Sequence, residues 1–256
     1  MKQIFRKLAS AITSPQAPGL PPQNYPRFDV EDVLPDPLST PYGLEIWHSP
    51  NQDESVQDDK IFIDNSFDTI FVHGLTGDRL RTWTAHKNGW PPWPVQVLPA
   101  HFPNGRIIAV GYDAYVALKK GPVSSNRLRN HSRDFLNHLR AFRRQYKARS
   151  LVFVAHSLGG LVCKDALLMA SNSPLAEVRG ICDSTVGICF MGTPHAGSDI
   201  ARWAKIPVVA LGYVKNTNKS LLQILETANE TIDRLQHDFM ELVKVRANTD
   251  REIDLV

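Results

Sequence analysis

Four short apolar runs, rich in valine, isoleucine and phenylalanine, recur at long intervals along the chain, at residues 69–73, 106–111, 151–155 and 186–191. Such runs, with little polar alternation, are typical of strands buried on both faces of a parallel sheet. The intervals between them are long enough for crossover helices. Two further segments, residues 43–48 and 252–256, predict an early strand and the start of a later one.

Helical periodicity marks three segments between and after these runs. The first has apolar residues on one side and arginines on the other: Leu128, Phe135, Leu139, Phe142 and Tyr146 against Arg127, Arg129, Arg133, Arg140, Arg143 and Arg144. We interpret the arginines as a solvated helix face, with binding of anionic lipid headgroups as the alternative. A second helix is predicted after Ser157 and a third over residues 220–245. Alternating strands and helices predict a three-layer α/β sandwich with a mostly parallel sheet.

The N-terminal segment differs from the rest of the chain. Residues 1–27 carry four basic residues and no acid, and residues 14–41 are rich in proline, which fixes φ and lacks an N–H. We predict a poorly ordered leader over residues 1–42 and a folded domain over residues 43–256. A mitochondrial presequence or a membrane-surface helix is the alternative for the basic part.

Composition narrows the function classes. Lysine and arginine total 29 against 26 acids, a net charge of +3 that does not indicate a nucleic-acid partner. No apolar run reaches the roughly 18 residues of a transmembrane helix. The three cysteines, Cys163, Cys182 and Cys189, have no zinc-site spacing and are predicted to be reduced, buried thiols of an intracellular protein. We expect no metal and no cofactor.

The most informative segment is residues 151–160, LVFVAHSLGG, where a buried strand runs straight into Ser157 and a helix follows. This arrangement predicts a nucleophile elbow, a tight strand-to-helix turn that exposes a serine hydroxyl. Ala155 and Gly159 are the small residues that such a turn requires on either side. The backbone N–H of Leu158, at the start of the helix, is predicted to bind an oxyanion.

A second oxyanion donor is predicted in the run FVHGLTGD, residues 71–78, which leaves the first buried strand through a His-Gly turn. In hydrolases with a nucleophile elbow this loop contributes a backbone N–H, which we assign to Leu75. We expect His73 to hold the loop in place. His156, beside the serine, is expected to point away from it.

Several motifs together resemble a lipase-like serine esterase family that includes the serine active-site-containing protein 1 group. They are FVHGLTGD with the downstream Trp83, WPVQVLP, IIAVGYDA, VAHSLGGLVCKDAL and FMGTPHAGSD, and the resemblance covers roughly residues 66–256. It implies an α/β-hydrolase fold and cleavage of acyl or lipid esters by Ser157, without a cofactor. It also implies peripheral contact with a mitochondrial or endoplasmic reticulum membrane, with the cytoplasm as the alternative.

In this fold a catalytic acid and then a histidine follow the serine along the chain. Residues 252–256 resemble the strand before the acid, so the sheet is expected to be C-terminally incomplete and the chain weakly active or inactive. Asp199, His195 and His237 are the residues within the chain that offer an internal substitute. The apolar residues 203–214 are expected either to line an acyl pocket as a lid or to pack normally. A non-catalytic interaction or signalling module is the competing hypothesis.

Overall fold

The computed structural model describes residues 6–7, 9–10, 42–50, 66–74, 78–84, 91–112, 125–144, 149–195, 218–249 and 251–256. For residues 125–127 and 218–229 only the helical backbone is described. Leu75, Asp199, the apolar residues 203–214 and most of the predicted leader lie outside these ranges. Among the described residues, every helix is too short or too polar to span a bilayer.

The described strands form a six-stranded sheet. They are β1 (Gly43–His48), β2 (Phe67–Val72), β3 (Gly105–Gly111), β4 (Ser150–His156), β5 (Thr185–Met191) and β6 (Asp254–Leu255). Their order across the sheet is β1-β3-β2-β4-β5-β6, with β1 antiparallel to β3 and all other pairs parallel. The four strands expected from the apolar runs and the two expected from residues 43–48 and 252–256 are confirmed, and β4 lies near the centre of the sheet.

The helices connect and cover these strands. They are α1 (Trp93–His101), α2 (Ser125–Arg143), α3 (Leu158–Ser171), α4 (Ala176–Ser184) and α5 (Asn218–Ala247), with a short 3-10 turn at Arg81–Trp83. The three predicted helices correspond to α2, α3 and α5. The pattern did not predict α1, whose sequence contains Pro94 and Pro99, or α4, which has nine residues and a central Gly180.

Two separate hydrophobic clusters pack on the two faces of the sheet. Alternate residues of β2 point to opposite sides: Ile70 and Val72 join the cluster beneath α2, α3 and α5, whereas Phe67 and Phe71 join the cluster beside α1. Full burial of each such side chain stabilises the fold by about 1.5–3 kcal/mol. Helices therefore cover a sheet that is apolar on both faces, which confirms the three-layer α/β-hydrolase sandwich.

The prediction of a fully solvated arginine face on α2 is wrong for Arg143. Its side chain is buried, donates to Ser184 Oγ at 2.9 Å and lies 3.9 Å from Asp68, which also binds Arg106 and Arg149. Burial lowers the pKa of Arg143 to about 10, while Asp68 opposes that shift. Helical spacing could not reveal this contact, because Asp68 comes from β2, far away in sequence.

Candidate active site

Ser157 occupies a strained turn between β4 and α3. Its backbone has φ 58° and ψ −128°, and no other non-glycine residue among those described has a positive φ. Holding a non-glycine residue in this region of φ and ψ costs of order 1–3 kcal/mol, and favourable contacts in the surrounding structure must offset that strain. The turn directs the chain from the carboxyl end of a central strand into a helix. This is the geometry that the sequence predicted for a nucleophile elbow.

Two small residues make the turn sterically possible. Ala155 is fully buried in β4. Gly159 lies in the first turn of α3, where an added Cβ would be 2.5 Å from the carbonyl oxygen of His73 and 2.6 Å from that of Val72. No real Cβ is found at such distances from backbone oxygens. The helix can therefore approach the end of β2 only with glycine at this position.

The segment after β5 supports the elbow from the other side. The N–H of Ser157 donates to the carbonyl oxygen of Met191 at 2.9 Å, and Thr193 Oγ1 donates to the carbonyl oxygen of Ser157 at 3.0 Å. A Cβ at Gly160 would lie 2.1 Å from Thr193 Oγ1, so the threonine side chain fills the space beside that glycine. Residues 191–193 thus fix both backbone polar groups of Ser157.

The turn after β2 reaches the same serine. A Cβ added to Gly74 would lie 2.6 Å from Ser157 Cβ and 2.8 Å from Ser157 Oγ. Leu75, the predicted second oxyanion donor, follows this glycine directly but is outside the described residues. Leu158 begins α3, where backbone N–H groups have no partner within the helix. The structure therefore brings the His-Gly turn close to the serine hydroxyl, and α3 begins at the residue after that serine.

His73 holds this turn, as predicted. Its Nδ1 lies 2.9 Å from the carbonyl oxygen of Gly74, and its Nε2 accepts from the N–H of Tyr112 at 3.3 Å. Tyr112 also donates its hydroxyl to the carbonyl oxygen of His73 at 2.7 Å and stacks on the imidazole ring at 4.3 Å. These partners require a neutral ring with the proton on Nδ1, and burial lowers the pKa of His73 accordingly.

None of the other three candidate histidines bonds the serine hydroxyl. In the described part of the chain, Ser157 Oγ has no hydrogen-bond partner. His156 is exposed and faces Trp83, with ring centroids 6.3 Å apart. His195 has its Nδ1 2.8 Å from Lys164 Nζ, and His237 is exposed on α5.

Sequence reasoning missed two residues of this region, Lys164 and Thr193. In the sequence, Lys164 is distinguished only as a single cation in the otherwise apolar start of α3, LGGLVCK. Thr193 carried no signal of its own because its role depends on contact with Gly160. The three cysteines are free and buried, as predicted, and the described residues contain no cluster of three metal-ligating side chains.

No protein-family model matches the chain. It is 31% identical over 195 residues to Protein SERAC1 of Bos taurus, a match covering 69% of this chain and 28% of that protein. Protein SERAC1 of Danio rerio is 32% identical over 155 residues, or 54% of this chain and 23% of that protein. The chain thus spans less than a third of the length of these relatives.

Solved structures with a similar arrangement share little sequence with this chain. A thermostable carboxyl esterase from Bacillus coagulans is 14% identical with a TM-score of 0.37, covering 82% of this chain and 62% of the other. A lipase-esterase related protein from Clostridium acetobutylicum is 12% identical with a TM-score of 0.34, covering 83% and 78%. By sequence, the chain is a homologue of the SERAC1 proteins over 195 residues. Its own strand order and covering helices are those of the α/β-hydrolase fold.

Proposed function

We propose that this chain is part of a serine hydrolase that cleaves acyl or lipid esters, with Ser157 as the nucleophile. The observation that carries the proposal is the positive φ of Ser157 at the carboxyl end of β4. A fold tolerates such a conformation where surrounding contacts impose it, and strain of this kind clusters at functional sites. In this fold the turn presents the serine hydroxyl to a substrate.

The surroundings of Ser157 favour acyl transfer. Attack on an ester carbonyl produces an oxyanion, which the N–H groups of Leu158 and Leu75 would stabilise. Removing one such donor in a serine hydrolase typically costs about 2.7–4 kcal/mol in the barrier. The contact of Gly74 with Ser157 supports this assignment because it brings the residue before Leu75 to the hydroxyl.

Activation of the hydroxyl requires a general base. Because no described side chain bonds Ser157 Oγ, we propose that the base comes from outside the described residues. His195 is a poor choice for this role, since its Nδ1 already faces Lys164.

The missing partner of Ser157 Oγ also favours a second candidate function. An α/β-hydrolase fold without a base is a non-catalytic module whose elbow is retained for its structure. Without members of the triad, a serine hydrolase retains only about 10³–10⁴-fold catalysis over water. Covalent labelling of the serine separates the two functions, because it requires an activated hydroxyl but no knowledge of the natural substrate.

The test is the reaction of the purified chain with a fluorophosphonate probe, followed by mass spectrometry of the labelled peptide. We expect slow labelling of the peptide around Ser157, because no described side chain bonds its hydroxyl, and loss of that labelling in Ser157→Ala. Ser171→Ala is the matched control. Ser171 lies at the far end of the same helix, where its hydroxyl donates a hydrogen bond to the carbonyl oxygen of Leu168. Absence of labelling in a chain that unfolds cooperatively would reject the hydrolase and support the module.

A further inference from the structure

Lys164 is an unusual residue for its place in the fold. It lies on α3, with its side chain 1% exposed, in a helix whose neighbouring positions Leu161, Val162 and Leu167 are apolar core. No carboxylate among the described residues lies within 4 Å of its ammonium group. Burying a cation without a counter-ion costs free energy, so an apolar side chain of similar length would destabilise the fold less at this position. The lysine therefore requires an explanation beyond packing.

The contacts of Lys164 connect three parts of the fold. Its Nζ donates to Gln236 Oε1 on α5 at 2.6 Å and lies 2.8 Å from Nδ1 of His195. The rings of Phe190 on β5 and Phe239 on α5 lie 5.0 Å and 5.8 Å from the same atom. Two neutral acceptors and two aromatic faces thus replace the solvent around the charge.

The segment that contains His195 is the one that fixes the elbow. Thr193 binds the carbonyl oxygen of Ser157 and fills the space beside Gly160, and His195 follows two residues later. Gly160 and Lys164 are four residues apart on α3, so they lie on one face of the helix. The helix consequently holds residues 192–195 at two points, one by close packing and one by a hydrogen bond.

We propose that Lys164 and His195 form a latch that positions residues 192–195 against the Ser157 elbow, and that this latch opens when both residues are protonated. The proposal rests on the proposed hydrolase function for its effect on Ser157, although the latch itself does not require it. Lys164 is a positioning residue here because it acts through His195 and Thr193 and not on the substrate.

The protonation states follow from hydrogen-bond chemistry. A lysine ammonium only donates, so His195 must present an unprotonated Nδ1 to accept from it. A doubly protonated His195 would face the ammonium with a second donor, and the pair would separate. Burial and the Lys164 charge both lower the pKa of His195, whereas a hydrogen bond with Gln236 raises it. Burial lowers the pKa of Lys164 to about 8, and the other titratable group facing it among the described residues is Cys163.

The sign of the pH effect is determined by the lowered pKa of His195. Between the ordinary value of 6.5 and the folded value, the unfolded chain binds more protons than the folded one. The contribution of the latch to stability is therefore present above pH 6.5 and is lost as the pH falls through the folded pKa. Since His195 is otherwise exposed, its ring exchanges protons with solvent without local unfolding.

The test combines a double-mutant cycle with a substitution that keeps the acceptor. The cycle compares Lys164→Met, His195→Leu and the double variant by urea denaturation at pH 7.5. We expect His195→Leu to lower the unfolding midpoint when Lys164 is present, because the buried ammonium then loses an acceptor, and to lower it much less in the Lys164→Met background. His195→Asn places Oδ1 where Nδ1 was, so we expect it to preserve the coupling and to remove the loss of stability below pH 6.5. Strictly additive effects would overturn the latch.

Labelling of Ser157 then tests the positioning role. We expect Lys164→Met and His195→Leu to slow the fluorophosphonate reaction by about 10- to 100-fold, because small misplacements of reacting groups have effects of this size. Lys244→Met, which removes an exposed lysine of α5, is the control and should label at the normal rate. Normal labelling of Lys164→Met would overturn the positioning role. If the unmodified chain does not label, the hydrolase proposal fails and the cycle alone decides the latch.

Discussion

At the scale of single residues, the elbow depends on glycines, which have no side chain, as much as on the residues that bind Ser157. Ser157 holds a positive φ because its N–H and its carbonyl oxygen are both bound by residues 191–193. Gly159 and Gly74 leave room for the strand ends and the hydroxyl. Chemistry at this site therefore requires close backbone approach, which one methyl group would prevent.

The pair Gly159→Ala and Gly180→Ala tests this steric argument. A Cβ at Gly159 meets two backbone carbonyl oxygens, and we expect overpacking to lower the free energy of unfolding by about 1–3 kcal/mol. Gly180 lies within α4, where an added Cβ meets nothing within 4 Å, so alanine there should stabilise the chain by about 0.5–1 kcal/mol. Urea denaturation of both variants measures the difference. Equal effects would show that the crowding at Gly159 is not real.

At the scale of elements, the candidate active site lies at one end of the strands and a buried ionic cluster lies at the other. The carboxyl ends of β2, β4 and β5 form the elbow and its supporting turns. At the amino ends, Asp68 on β2 is fully buried and binds Arg106 of β3, Arg149 before β4 and, more distantly, Arg143 of α2. One carboxylate thus connects two strands, the segment before a third and a helix, at the end of the sheet away from Ser157.

Asp68→Asn tests how strongly the fold depends on this cluster. The change removes the negative charge that faces two buried guanidinium groups and a partly buried one, and we expect a loss of about 3–5 kcal/mol in unfolding free energy. Asp183→Asn is the control, because Asp183 pairs with Arg251 at 3.1 Å on the surface and such pairs contribute about 0–1 kcal/mol. Chemical denaturation of both variants is the measurement. A loss at Asp68 no larger than that at Asp183 would contradict the assignment.

At the scale of the whole molecule, two histidines are held in a neutral form that acid disfavours. Burial lowers the pKa of both His73 and His195, so the folded chain binds fewer protons than the unfolded chain near pH 6. Both residues hold segments that meet at Ser157. Acid therefore acts on the stability of the fold and on the geometry of the candidate site together.

We expect the urea midpoint of the chain to fall as the pH is lowered from 7.5 to 5.5. Stability rises with pH wherever the unfolded state binds more protons, which is the case for both histidines in this interval. Repeating the titration at 0.5 M NaCl distinguishes the effect of the two histidines from repulsion among surface charges. Salt screens exposed charges far more than buried groups, so the effect of the histidines should persist. A midpoint that is constant or higher at pH 5.5 would contradict the lowered pKa values.

The strands and the elbow were predictable because they depend on local pattern. Unbroken apolar runs identified four strands, two shorter segments identified the other two, and LVFVAHSLGG identified the position of Ser157. The helices α1 and α4 were missed because prolines and short length hide their periodicity. The buried position of Arg143 and the contacts of Lys164 were also missed, because their partners lie on other elements.

The sequence by itself determined the fold class, the positions of the strands and of three helices, and the serine at the turn, because these follow from hydrophobic periodicity and the local sterics of small residues. Only the tertiary structure decided which polar groups meet. Asp68 with its arginines, Thr193 with Ser157, and Lys164 with His195 join positions distant along the chain. Their partners are chosen by the packing of helices on the sheet, which no local pattern encodes. The basic N-terminal segment and its link to a mitochondrial or endoplasmic reticulum membrane stay predictions.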